Sequence, residues 1–144
     1  MSHVDLLHRW YNEVWNKDNY SAIEDLLDPN VTFNGPVRSL VLFRDDYAEV
    51  IQAFKALIPD VHVEITHALE QGDMASCRVV VSRKKSSHHG DLCFTGHLTV
   101  RVKDGRFVEF LSDFNHFQMY TQLGQLPEDA MAVCLTGEKL VWAK

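Results

Sequence analysis

Four polar residues, Ser112, Asp113, Asn115 and His116, close the last long apolar run of the chain, set among Phe110, Phe114 and Phe117. Polar groups at the end of an apolar strand read as the floor of a pocket. Across a turn signal at Asp104-Gly105, His97 stands on the preceding strand pattern. An imidazole titrates near neutrality and suits a general base. A carboxylate desolvated in a pocket has its pKa raised, and can then take a proton from the carbon beside a carbonyl and later return one. Asp113 and His97 are therefore the candidate catalytic residues. Ser112 without a positioned base is a poor nucleophile. A His97–Ser112 pair has no evident orienting acid.

The turn decides which of these groups meet. A two-residue turn at Asp104-Gly105 pairs Lys103 with Arg106 and sets His97 opposite Ser112. Thr95, His97, Phe110, Ser112 and Phe114 then share a face, and Asp113 takes the other with Leu98 and Leu111. A three-residue turn with a glycine bulge sets His97 against Leu111, diagonal to Asp113. The dipeptide Asp-Gly favours the first register. A slip of one residue exchanges the faces, so only a bulge near Ser112 would return Asp113 to the pocket.

The elements that must position these residues follow from periodicity. Leu6, Leu7, Trp10, Tyr11, Val14 and Trp15 recur at helical spacing and predict a helix over 3–17. Ser21 with Glu24 has capping-box spacing for a shorter helix, stopped by Asp28-Pro29-Asn30. Val31-Thr32-Phe33 is a short strand. A third helix spans about 45–57, with Pro59 beyond it. From Val61 the period changes to two. Strands over Val61 onward, 74–83, 92–103 and 106–115 follow, with a turn at Gly72-Asp73, and consecutive long strands form an antiparallel meander. Three helices followed by four strands read as α+β, helices packed on one face of a sheet. After Pro127, Ala132–Leu135, Thr136-Gly137-Glu138-Lys139 and Leu140–Trp142 read as a short hairpin, packed on the same domain or on a partner subunit. The domain proper is 1–126 and the extension 127–144.

Composition bounds the function. The 144 residues suit one domain. The net charge of −6 argues against nucleic acid and anionic membranes. No apolar run approaches the ~18 residues of a membrane span, and the N-terminus lacks a signal-peptide pattern. Cys77, Cys93 and Cys134 are an odd, scattered set, expected reduced in a cytoplasmic protein. His88-His89, with Cys93 nearby, complete no metal-ligand pattern, and His62 and His67, five apart, are expected on opposite faces. No metal and no cofactor is called for. Tyr11, Trp15, Phe33, Phe54, Thr99, Phe110, Ser112 and Phe114 are expected to line a largely apolar pocket, fit for a small apolar or aromatic ligand.

The residues W-Y-N-E-V-W-N-K at Trp10–Lys17, S-A-I-E-D-L-L at Ser21–Leu27, P-D-V-H-V-E-I at Pro59–Ile65, V-K-D-G-R-F-V-E at Val102–Glu109 and Q-L-G at Gln122–Gly124 resemble, in order and spacing, the SnoaL-like polyketide cyclase family of the nuclear-transport-factor-2-like superfamily. The resemblance implies a cone-shaped α+β barrel enclosing one pocket, often dimeric through the outer sheet face. It also implies an aspartate late in the last long strand, acting as acid and base in an aldol ring closure. Counted back from Gln122-Leu123-Gly124, the family's acid positions fall on Ser112 and Asn115, and neither is a carboxylate. Two readings stand: a cyclase or isomerase using Asp113 and His97, or a non-catalytic ligand-binding or dimeric assembly module that has lost the acid.

Overall fold

The computed structural model describes residues 1–34, 43–83 and 91–141. These form two compact units, Met1–Phe114 and Asn115–Lys144. The break lies twelve residues before the expected 126/127 boundary, where the last strand gives way to helix.

The first unit opens with α1 (His3–Arg9). Its start is fixed by Ser2, whose hydroxyl accepts from the Asp5 N–H (3.1 Å) while Asp5 accepts from the Ser2 N–H (3.0 Å). The helix continues as a π-helical segment, Trp10–Asn16, whose buried residues are Trp10, Tyr11, Val14 and Trp15. Each wide turn turns two adjacent large side chains inward. The Asn16 amide locks the segment's end to the sheet: it donates to the Val63 carbonyl and accepts from the Val63 N–H, both at 2.8 Å. Helix α2 (Ala22–Leu26) is present, but without the expected capping box. The Ser21 hydroxyl donates instead to Asn19 Oδ1 at 2.6 Å. A short 3₁₀ turn (Arg44–Asp46) leads into α3 (Tyr47–Leu57), which buries Tyr47 and Ile51.

Five strands complete this unit: β1 (Leu27–Asn34), β2 (Val61–Gln71), β3 (Met74–Arg83), β4 (Cys93–Lys103) and β5 (Arg106–Phe114). They form one sheet in the order β1-β5-β4-β3-β2. The expected antiparallel meander is β2 to β5. β1 is longer than Val31–Phe33 alone and pairs parallel with β5, which makes the sheet mixed. The fold is thus the expected α+β cone: helices on one face of the sheet, with the core between them. Within the described chain no helix is long and apolar enough to cross a membrane.

Two one-residue bulges set which way the strands face. On β2 the register shifts between Ile65 and His67, leaving Thr66 unpaired. The bulge reverses the alternation there, so His62 and His67 are both exposed rather than on opposite faces. On β5 the shift falls between Phe107 and Glu109, leaving Val108 unpaired.

The second unit contains α4 (His116–Gln122) and α5 (Ala130–Leu135). Ala132–Leu135, expected as the first strand of a hairpin after Pro127, belongs to α5 instead. Ala130-Met131-Ala132 favour helix, and Thr136-Gly137, which reads as a hairpin turn, ends α5, with Gly137 at φ 83°. Trp142 lies outside the described residues.

Candidate functional site

The hairpin β4–β5 begins as its sequence dictates. Asp104 (φ 52°) and Gly105 (φ 77°) both take left-handed conformations, and Lys103 pairs with Arg106. This is the two-residue turn that Asp-Gly favours. Beyond it, the bulge at Val108 moves every later pair by one. Leu98 faces Ser112, His97 faces Asp113 and Gly96 faces Phe114. Neither expected register is therefore observed. The turn is right, but His97 does not meet Ser112, and it does not meet Leu111.

The faces follow from this shift. Phe94, Leu98, Val100, Phe110 and Ser112 are buried on the helix-facing side. His97 and Asp113, side by side on neighbouring strands, are exposed on the outer side. Thr99, expected in the pocket, is also on the outer side, where its hydroxyl meets that of Ser76 at 2.9 Å. Asn115, the second position where the resemblance places an acid, accepts from the Gln118 N–H at 3.0 Å and caps α4. His88 and His89 lie outside the described residues.

The other expected lining residues converge inside. Trp15 meets Phe54 edge-on (5.2 Å between centroids) and approaches Phe114 (6.0 Å). Phe33 and Phe110 meet at 5.6 Å. Tyr47, which helical spacing puts on the apolar face of the third helix but which is not in the expected lining set, stands at the middle of this cluster. It stacks on Phe33 (5.6 Å, 29°) and meets Trp10 (5.2 Å) and Phe110 (5.5 Å) edge-on. Tyr47 carries a polar hydroxyl at a helix start, and its place on the apolar face of α3 was the available signal. Gly96 serves the same interior. A Cβ there would lie 2.4 Å from Phe114 Cδ1, so only glycine lets that ring cover the strand.

The interior is electrostatically lopsided. The Trp10 and Trp15 indole nitrogens are buried with no hydrogen-bond partner among the described residues. The Tyr11 and Tyr47 side chains are buried as well. Burial holds the Tyr11 phenol well above the usual tyrosine range, with the nearby Cys77 and Tyr47 acting in the same direction. Burial likewise raises the Tyr47 phenol. Desolvation pushes the Cys77 thiol up to about 12. At neutral pH all these groups are protonated donors. No carboxylate joins them: the twenty Asp and Glu residues all fall among the described residues, and none is buried. Ser112 is the buried polar residue of the inner sheet face.

Comparison with known proteins gives a consistent picture. Residues 7–110 match the SnoaL-like domain. Among solved structures, a candidate polyketide cyclase from Bacillus cereus is similar, with a TM-score of 0.76 and 20% identity over 84% of this chain and 79% of that one. A loop-truncated form of IdmH, a Streptomyces antibioticus protein, has a TM-score of 0.73 at 22% identity, over 84% of this chain and 98% of its own. A SnoaL-like polyketide cyclase from Agrobacterium tumefaciens has 0.67 at 17%, over 86% and 99%. At such identities these likenesses speak to the fold alone. No curated protein matches the chain.

Proposed function

The chain belongs to the SnoaL-like domain family, and from that premise we propose that it binds a small, flat, largely apolar molecule carrying carbonyl oxygens, in a pocket between the helices and the inner sheet face. One observation carries the reading: a core supplied with buried donors and no buried carboxylate. Two indole N–H groups have no hydrogen-bond partner among the described residues and lie among aromatic rings, in a core that also buries the phenols of Tyr11 and Tyr47. An unsatisfied buried donor costs about 1–3 kcal/mol, and such a group in a native structure calls for an acceptor brought from outside. A ligand carbonyl is that acceptor. The aromatic walls supply apolar contact area, and the donors fix its orientation.

The same asymmetry separates binding from the family's ring-closing chemistry. A general acid must come within hydrogen-bond reach of the proton it moves. Ser112 faces inward where the resemblance puts an acid, while Asp113 is exposed on the outer side. Binding without an internal carboxylate is the reading this favours. The odd, scattered set of Cys77, Cys93 and Cys134 supports a reducing compartment, the cytoplasm.

Fluorenone and fluorene test this directly, because they differ by one carbonyl oxygen. Calorimetry should show fluorenone binding about tenfold more tightly, as one neutral hydrogen bond of ~1.4 kcal/mol requires. Tyr11→Phe and Tyr47→Phe should narrow that ratio. Equal affinities for the two molecules, or binding of neither, would sink the proposal.

The cyclase or isomerase reading keeps one specific support: His97 and Asp113 are direct cross-strand partners. It requires that substrate be handled at the outer sheet face. Turnover of a polyketone that survives undiminished in both His97→Ala and Asp113→Asn would remove those roles.

A further inference from the structure

The bulge on β2 assembles a basic cluster on the outer face of the sheet. Without the extra residue Thr66, alternation would turn His67 to the inner face. With it, His67 stands opposite Arg78 on β3, and Arg78 stands opposite His97 on β4. The three side chains form one transverse row with the arginine in the middle. Thr66 is tied to that row. Its hydroxyl accepts from Arg78 Nη1 at 3.0 Å, donates to the Arg78 carbonyl at 3.3 Å and lies 2.9 Å from His67 Nδ1. A shallow groove of ≈ 630 Å³ runs over the row, lined by Thr66, His67, Leu69, Ser76, Arg78 and His97 among others.

The two arginines of this face are treated differently. Arg101 reaches both carboxylate oxygens of Asp73 (2.9 and 2.8 Å) and lies 3.7 Å from Glu109. Arg78 makes no ion pair among the described residues, and its bond to Thr66 occupies a single N–H of the guanidinium fork. In a chain of net charge −6, carboxylates are plentiful, yet none is placed against this half-buried cation among the described residues.

We propose that the row His67–Arg78–His97 binds the phosphate group of a small phosphate monoester. The planar fork of an arginine matches two phosphate oxygens at once. Neighbouring strands are about 4.8 Å apart, so an imidazole flanks Arg78 on each side, within reach of the third oxygen. A neutral imidazole carries one N–H donor and a protonated one carries two. A carboxylate has only two oxygens, which the fork satisfies alone, and it leaves the imidazoles unused. The organic part of the ester has its own place. The next row along the strands carries Leu69, 68% exposed, beside the small Ser76 and Thr99, whose hydroxyls meet each other.

Two carboxylates stand near Arg78 on this face, and neither outweighs the cluster. Asp113, opposite His97, is two strands away from Arg78, roughly 9.6 Å. Glu64, opposite Val80, is a diagonal neighbour at roughly 8 Å. Both lie at or beyond the Debye length of about 8 Å at physiological ionic strength, whereas the phosphate touches Arg78 directly. The groove lies over β2, β3 and β4, and Asp113 stands outside its lining.

Calorimetry with phenyl phosphate, inorganic phosphate and benzoate tests the site on the full chain. Phenyl phosphate should bind most tightly, inorganic phosphate more weakly for want of the contact with Leu69, and benzoate more weakly for want of an oxygen. Arg78→Gln should weaken phenyl phosphate about tenfold or more, as loss of a charge-assisted hydrogen bond requires. Arg101→Gln removes the same charge from an arginine that is already matched, and should leave the affinity unchanged. Circular dichroism verifies that both variants are folded. Absence of phenyl phosphate binding, or benzoate or inorganic phosphate binding as tightly, would overturn the proposal. So would equal losses in Arg78→Gln and Arg101→Gln, which would mean that net charge alone matters. Fluorenone reads the opposite face of the sheet, and its affinity should be the same in Arg78→Gln as in the wild type.

Discussion

Tyr47 shows what a single residue contributes. Its ring closes the aromatic cluster with Phe33, Trp10 and Phe110, while burial keeps its hydroxyl protonated far into the alkaline range. A raised acid pKa has a definite sign in stability. The folded state holds its proton above pH ~10, where the unfolded chain releases one, so the contribution is complete below that pH and is lost as pH rises further. Each fully buried tyrosine should then cost up to about 1.4 kcal/mol of stability per pH unit. Urea melts at about pH 9 and about pH 11 should show the wild type losing more than Tyr47→Phe, and the variant's profile should be flatter. Parallel profiles would mean that the phenol ionises freely. Little of this was legible beforehand. Trp15, Phe33, Phe54, Phe110 and Phe114 announce themselves by size and period. Helical spacing puts Tyr47 on the apolar face of its helix, but it does not say which rings that face meets.

At the scale of elements, the strands were legible and their facing was not. Alternation from Val61 onward and Asp104-Gly105 mark the meander and its last turn. The bulges escape because periodicity assumes an unbroken ladder. Their trace was nonetheless present on β5, where Phe107 and Phe110 are both buried at a spacing of three across the unpaired Val108. An odd spacing between two inward residues demands an extra one between them. This makes a sharp prediction. Deleting Val108 removes the residue without a cross-strand partner, leaves Arg101 opposite Glu109, and should retain the fold at a cost of about 1–3 kcal/mol. Deleting Leu111 instead pulls Asp113 into the inward place of Ser112. A carboxylate among Phe94, Leu98 and Phe110 has no partner, and this chain should fail to fold. Thermal melts of the two deletions, followed by near-ultraviolet dichroism, distinguish them. Two equally stable proteins would show that β5 is free to slip.

At the scale of the whole molecule, the exposed Asp113 raises two readings that couple differently to the rest of the protein: the acid of a cyclase or isomerase, or part of the dimer face that the family resemblance implies. As an acid it acts on a substrate, and its loss touches turnover alone. As an interface residue it ties stability to protein concentration, because a dimer that dissociates on unfolding is favoured by mass action. A hundredfold rise in concentration is worth about 2.7 kcal/mol per dimer, which should raise the melting temperature of the wild type by several degrees. Asp113→Asn keeps the shape and removes the charge. If the residue belongs to the interface, this variant should lose most of its concentration dependence between about 1 and 100 μM, while its fluorenone affinity stays that of the wild type. The inner face of the sheet is untouched by a change on the outer one, since strand alternation separates them. If the residue is instead the working acid, the melting temperatures of wild type and variant should depend on concentration in the same way, and turnover should fall. The sign of that comparison assigns Asp113 to one role, and with it decides whether the outer face of this sheet serves chemistry or assembly.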